Sequence, residues 1–157
     1  MNKTLESIFT IHNSPFLLSE LLYTFYENSC QRVLVPRQND ILLSYLVLPL
    51  VLPTDSRKSL IKSNKTSSLR SFIKKGHHLG INEAIHNWMS LTNKSLQFLL
   101  NSDFVFCIDS VVLVNESKEF NKSLASDDML NAVAKLEYLF SPLDVPTIYR
   151  LLGVKKL

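Results

Sequence analysis

The stretch whose reading decides the fold class is NDILLSYLVLPLVLPTDSRKSL, residues 39–60. From Ile41 to Leu52 it carries no charge; a proline, a turn and basic residues follow at once. A bilayer crossing needs about 20 apolar residues, and Pro49 interrupts this shorter run. It therefore reads as a segment buried all round in protein, not as a membrane span. Asn39 or Asp40 offers a cap. Ile41–Leu48 reads as a helix ended or bent near Pro49, because proline lacks an N–H and crowds the carbonyl four residues earlier. Periodicity alone leaves a strand as the alternative for so short an apolar run.

Working outward, a chain of 157 residues is most simply one domain. A domain of that size buries roughly 70% of its unfolded surface and needs no staples. Hydrophobic residues make up 46% and charged residues 20%, a composition that excludes wholesale disorder. Cys30 and Cys107 sit among apolar neighbours without metal-binding spacing, and read as two reduced, buried thiols. The opening MNKTLESIFTIHNSPF contains Glu6 and no long apolar run, so no secretory signal is expected and the chain reads as cytoplasmic.

Ser14-Pro15 opens a helix carrying Leu18, Leu21, Leu22, Phe25 and Tyr26 at helical spacing to about Asn28. Thr54 or Asp55 caps a short helix to about Ile61, and Ser63–Thr66 reads as a loop. Leu69, Phe72 and Ile73 mark another short helix that Gly76 stops. Ile81, Ile85, Trp88 and Met89 mark the next, with a break at Thr92-Asn93 and a further helix through Leu96, Leu99 and Leu100. Phe104–Ile108 and Val111–Val114 then read as a hairpin about the turn Asp109-Ser110. Ser126 caps a helix to about Phe140, and Asp144 with Pro146 starts a last one that Gly153 ends. The expected class is mostly α with a small β-hairpin: a winged-helix-like core over 63–125, helices before it over 1–62, and helices after it over 126–157.

Catalytic chemistry finds little support. The three glycines, Gly76, Gly80 and Gly153, form no phosphate loop. His12, His77, His78 and His86 lack a metal-binding register and read as exposed helix-end residues. Asp109 and Glu116-Ser117-Lys118 mimic a nuclease spacing, but the hairpin would hold the two carboxylates at opposite ends. No cofactor, metal or enzymatic activity is expected.

Charge carries the stronger signal. Arg57, Lys58, Lys62, Lys65, Arg70, Lys74 and Lys75 lie together with no acid among them, +7 in a chain whose net charge is +3. Such a segment attracts phosphate or an acidic protein surface. With the hairpin it also suits a stand-alone winged-helix DNA-binding regulator. Such a regulator reads bases with a basic helix, however, and Asn93–Leu100 carries only Lys94.

NSPFLLSELLYTF, LSYLVLPLVLP, KTSSLRSFI and DVPTIYRLLGVKKL, in that order, resemble the middle component of bacterial three-component ABC-ATPase systems. The correspondence falls on Asn13–Pro15, Leu48–Leu52, Lys65–Ile73, Ile81–Val114 and Pro146–Val154, with Gly76-His77-His78 and the Asp109-Ser110 turn as departures. The resemblance implies a small non-enzymatic adaptor between an SMC- or Rad50-like ATPase and an effector such as a nuclease, as in Lamassu-type defence against phage and plasmids. It implies no membrane contact, and DNA contact made indirectly or through the basic segment. Ile41–Leu52 is then expected to pack its apolar surface on neighbouring helices or on a partner. The expected partner face comprises Leu46, Leu48, Leu50, Val51, Tyr149 and Leu152.

Overall fold

The computed structural model describes residues 14–31 and 39–155. Among them are seven α-helices and one two-stranded antiparallel sheet. The helices are α1 (Pro15–Cys30), α2 (Ser44–Val51), α3 (Thr54–Ile61), α4 (Leu69–Ile73), α5 (Ile81–Asn101), α6 (Asp127–Phe140) and α7 (Val145–Leu152). The strands β1 (Val105–Ile108) and β2 (Val111–Val114) lie between α5 and α6. The mostly helical class with a small hairpin is thus the one observed. The sequence before Ser14, including His12 and the stretch read for a signal, lies outside the described residues.

The uncharged block is the centre of the molecule. A single 3-10 turn, Ile41–Leu43, leads into α2. Leu46, Val47, Leu48, Leu50 and Val51 have no solvent exposure at all. The helix does not stop at Pro49 but runs through it to Val51. Proline costs an interior helix about 3 kcal/mol through its missing N–H and its ring. Here α1, α3, α5 and α6 all pack against α2, so apolar burial against them outweighs that cost.

A helix buried everywhere but at Tyr45 cannot leave its terminal carbonyls to water. Side chains of α3 supply the partners. Ser56 Oγ donates to the Leu50 carbonyl, and Arg57 Nη1 donates to those of Leu52 at 2.9 Å and Val51 at 3.5 Å. At the other end the Asp40 carboxylate accepts from the Leu42 N–H at 2.8 Å. The Tyr26 hydroxyl reaches the Asp40 carbonyl at 3.0 Å and Ser44 Oγ at 2.6 Å, and the Tyr149 hydroxyl donates to the Leu42 carbonyl.

Helix α1 is buried all round from Leu17 to Tyr26. That span includes Glu20, 2% exposed, whose carboxylate accepts the backbone N–H groups of Ser123, Leu124 and Ala125 at 2.7–3.2 Å. These bonds satisfy a buried charge and fix the segment that leads into α6. Ser95 Oγ donates to the Pro15 carbonyl at 3.2 Å where α1 meets α5.

The expected break at Thr92-Asn93 does not occur: α5 is one helix of 21 residues. Thr92 is buried, and the Asn93 side chain accepts from the Tyr45 hydroxyl at 2.7 Å and caps nothing. Both α1 and α2 pack along α5, and this tertiary burial overrides a weak local break signal. The helix–turn–helix expected within Ile81–Leu100 is therefore absent.

The hairpin follows the expected register, Val105↔Val114 to Ile108↔Val111. Asp109 (φ 49°) and Ser110 (φ 69°) are both left-handed, the pair of conformations that a type I′ turn requires. Asp40 bridges to Val111, and the Ile41 N–H donates to the Ser110 carbonyl at 2.8 Å, so the entry to α2 covers the β2 edge. Val105 and Val112 reach the core. The two thiols are free; Cys30 is half-buried, while Cys107, expected to be buried, is exposed because only Val105 of β1 reaches the core.

Two outcomes follow from these contacts. Glu20→Gln replaces a charged acceptor of three amides by a neutral one with a single acceptor oxygen. It is expected to lower the unfolding free energy by about 2–3 kcal/mol, read as a fall in urea midpoint at constant m-value. Burial, reinforced by the Asp40 charge, holds the Tyr26 and Tyr149 hydroxyls above the ordinary phenol range. In the unfolded chain these groups ionise near pH ~10, while the native state keeps its protons. Native stability is expected to fall as pH rises above about 10 and to be unaffected by these groups below it. Tyr149→Phe should flatten that alkaline slope in urea unfolding.

Candidate partner and nucleic-acid interface

The basic segment spans α3, the loop after it, and α4, and the structure divides its seven cations by role. The half-buried Arg57 faces inward and serves the carbonyl ends of α2. Lys75 is exposed, with its Nζ 3.3 Å from Ser59 Oγ, tying the end of α4 to α3. Lys58, Lys62, Lys65, Arg70 and Lys74 are exposed. Among the described residues no carboxylate forms a salt bridge with any of the seven. Arg70 and Lys74 stand one helical turn apart, as their spacing implies. Lys62 ends α3 and Lys65 lies in the loop, so those two share no helix face.

The loop is braced by its own polar side chains. Asn64 Oδ1 accepts from the Thr66 N–H at 3.0 Å and from the Thr66 and Ser67 hydroxyls. Ser68 and Ser71 form a reciprocal capping box at the start of α4. From α6, Lys135 Nζ donates to the Ser63 carbonyl at 2.9 Å and the Tyr138 hydroxyl to the Lys65 carbonyl at 3.1 Å. Asn64, Lys65, Ala134, Lys135 and Tyr138 line a shallow hollow of about 260 Å³ here. Sequence reasoning missed Lys135 and Tyr138. The available signal was a lysine and a tyrosine, three positions apart, inside the AVAKLEYLF of α6. The arrangement presents cations and hydroxyls on a fixed backbone, which suits phosphate or carboxylate oxygens.

The expected partner face falls elsewhere. Leu46, Leu48, Leu50 and Val51 are fully buried and Leu152 is 1% exposed, all within this chain's own core. Tyr149 is half-buried with its hydroxyl committed to Leu42. The apolar surface of α2 is used up on neighbouring helices, the first of the two destinations foreseen for it.

Asp109 sits in the hairpin turn and Glu116 beyond the far end of β2, and the described residues hold no cluster of three potential metal ligands. His77 and His78, expected to be exposed, are half-buried in the turn after α4, where the His77 ring lies against Phe72. Among the described residues no helix is long and apolar enough to cross a membrane.

The family model of the ABC-three component (ABC-3C) system Middle Component 3 matches residues 2–156. The chain belongs to this family of middle components, so it is a subunit of a multi-protein system. No curated protein and no solved structure matches it.

The division of the basic segment is testable. Arg57→Ala is expected to cost about 1–3 kcal/mol of unfolding free energy, because it strips buried carbonyls of their donor. Alanine at Lys62, Lys65 or Lys74 is expected to stay within about 0.5 kcal/mol of the parent. Thermal and urea unfolding of the four variants check both.

Proposed function

We propose that this chain is a non-catalytic adaptor that bridges an SMC- or Rad50-like ATPase to an effector, such as the nuclease of a Lamassu-type defence system, in the bacterial cytoplasm. Membership of the middle-component family supports a role between other subunits. The observation that carries the contact chemistry is the group of five exposed, unneutralised cations on a braced loop and two short helices. In this reading Lys58, Lys62, Lys65, Arg70 and Lys74 take DNA phosphates, and the contact couples DNA sensing to release of the effector. Binding of this kind is indifferent to sequence and weakens steeply with salt. Arg57 and Lys75 hold the segment in shape.

The test combines capture and charge reversal. Affinity capture from the native operon is expected to recover a large coiled-coil ATPase and a second, effector chain. The variant Lys62→Glu/Lys65→Glu/Arg70→Glu/Lys74→Glu is expected to assemble normally and to lose DNA stimulation of the complex. Unchanged DNA binding by the assembled variant removes the phosphate role. Recovery of this chain alone on DNA favours the winged-helix regulator, whose helix pair would have to be α4 and α5.

A further inference from the structure

Among the described residues the hairpin has one open edge, and its chemistry is specific. In the antiparallel ladder the pairs Ile108↔Val111, Phe106↔Leu113 and Phe104↔Asn115 exchange backbone hydrogen bonds, the last shown by the Asn115 N–H on the Phe104 carbonyl at 2.9 Å. The N–H and C=O of Val105 and Cys107 therefore point away from β2, along the free edge of β1. Among the described residues nothing bonds to them. The opposite edge is covered, since Ile41, Asp40 and Cys30 approach β2.

Natural sheets guard an exposed edge with lysine, proline or a bulge. β1 has none of these: it reads Val-Phe-Cys-Ile, with Phe106, Cys107 and Ile108 exposed. Across the ladder Leu113 adds to the outward face, so Phe106 (44%), Ile108 (60%) and Leu113 (40%) form a contiguous exposed apolar patch. The strand ends are acidic. Asp109 lies at the tip; at the base Asp103, Glu116 and Glu119 are exposed, beside Lys118, whose Nζ donates to the Ser102 carbonyl, and Lys122, which is paired with Glu27.

We propose that β1 is a docking edge for an extended segment of another subunit of the system, a strand with apolar residues at alternate positions and basic residues at both ends. Strand addition satisfies the free N–H and C=O of Val105 and Cys107, while alternate side chains of the incoming strand pack beside Phe106 and Ile108. The charge pattern selects the occupant. A second copy of this chain, laid antiparallel on β1, brings the Asp109 tip of one copy to the acidic base of the other. A basic-flanked strand meets complementary charge at both ends. The proposal rests on the multi-subunit reading for its partner, but β1 can be tested without that partner.

Two measurements on the unmodified chain keep the outcomes apart. The first is amide hydrogen exchange with a synthetic nine-residue peptide of alternating valine and threonine, with a lysine at each end. The peptide is expected to slow exchange of the Val105 and Cys107 amides by about tenfold or more at saturation, and a glutamate-flanked peptide to leave them unchanged. The second is the same exchange in the complex captured from the operon, where the two amides are expected to be protected relative to the free chain. Cys107→Pro, which removes an outward N–H that the hairpin does not use, is expected to lose that subunit from the complex, while Cys107→Ser retains it. No response to the lysine peptide overturns the proposal, as does an assembled complex in which Val105 and Cys107 exchange as in the free chain. Concentration-dependent protection of Cys107 in the free chain overturns it in favour of self-association. A peptide response without any captured subunit leaves the docking edge standing and removes the adaptor reading instead.

Discussion

The structure depends on a helix that reaches water only at Tyr45. With the rest of α2 buried, each of its polar ends must be served by protein, and most of the surrounding architecture follows from that requirement. α3 turns back at Pro53 so that Ser56 and Arg57 reach the last carbonyls. Tyr26 from α1 and Tyr149 from α7 converge on the entry segment, and the hairpin pairs with it through Asp40 and Ile41. An apolar helix alone specifies only burial. The polar contacts at its two ends specify which elements do the burying and in what orientation.

Much of this was legible because the signals were local. Caps and helix starts at Ser14-Pro15, Ser126 and Asp144-Pro146 depend on a few adjacent residues, and the hairpin on a change of period from helical to alternating; Thr54, read as a cap, is instead the first residue of α3, with Pro53 before it. The errors share a cause. Pro49 and Thr92-Asn93 read as breaks because local propensity disfavours continuing a helix there, yet both stretches lie where neighbours pack along the helix. Tertiary burial of α2 and α5 is larger than either local penalty, and a sequence window does not contain it. The same reasoning explains the partner face. A run of leucine and valine reads equally well as a core or as an interface; only the disposition of four other helices assigns it to the core.

The basic segment shows a different limit. Its charge count was plain, but seven cations in sequence do not act alike in space. Arg57 belongs to the core's hydrogen bonding, and the residues that brace the loop, Lys135 and Tyr138, come from α6, about seventy positions further along the chain. Cys107 likewise read as buried from its apolar neighbours. It is exposed because only Val105 of β1 reaches the core, a property of the hairpin's position and not of its composition.

The carboxylate of Glu20 bears on how this chain is made. Its three amide donors lie 103 to 105 residues downstream, so α1 leaves the ribosome long before the groups that neutralise it exist. Until Ala125 is synthesised, water is the partner of that carboxylate, and burying the apolar residues of α1 around it would leave a charge without donors. Burial of α1 is therefore tied to the emergence of the segment that leads into α6, which carries the amides its carboxylate needs once water is excluded. A truncation upstream of Ser123 removes all three of those amides and leaves the buried position of Glu20 without its donors.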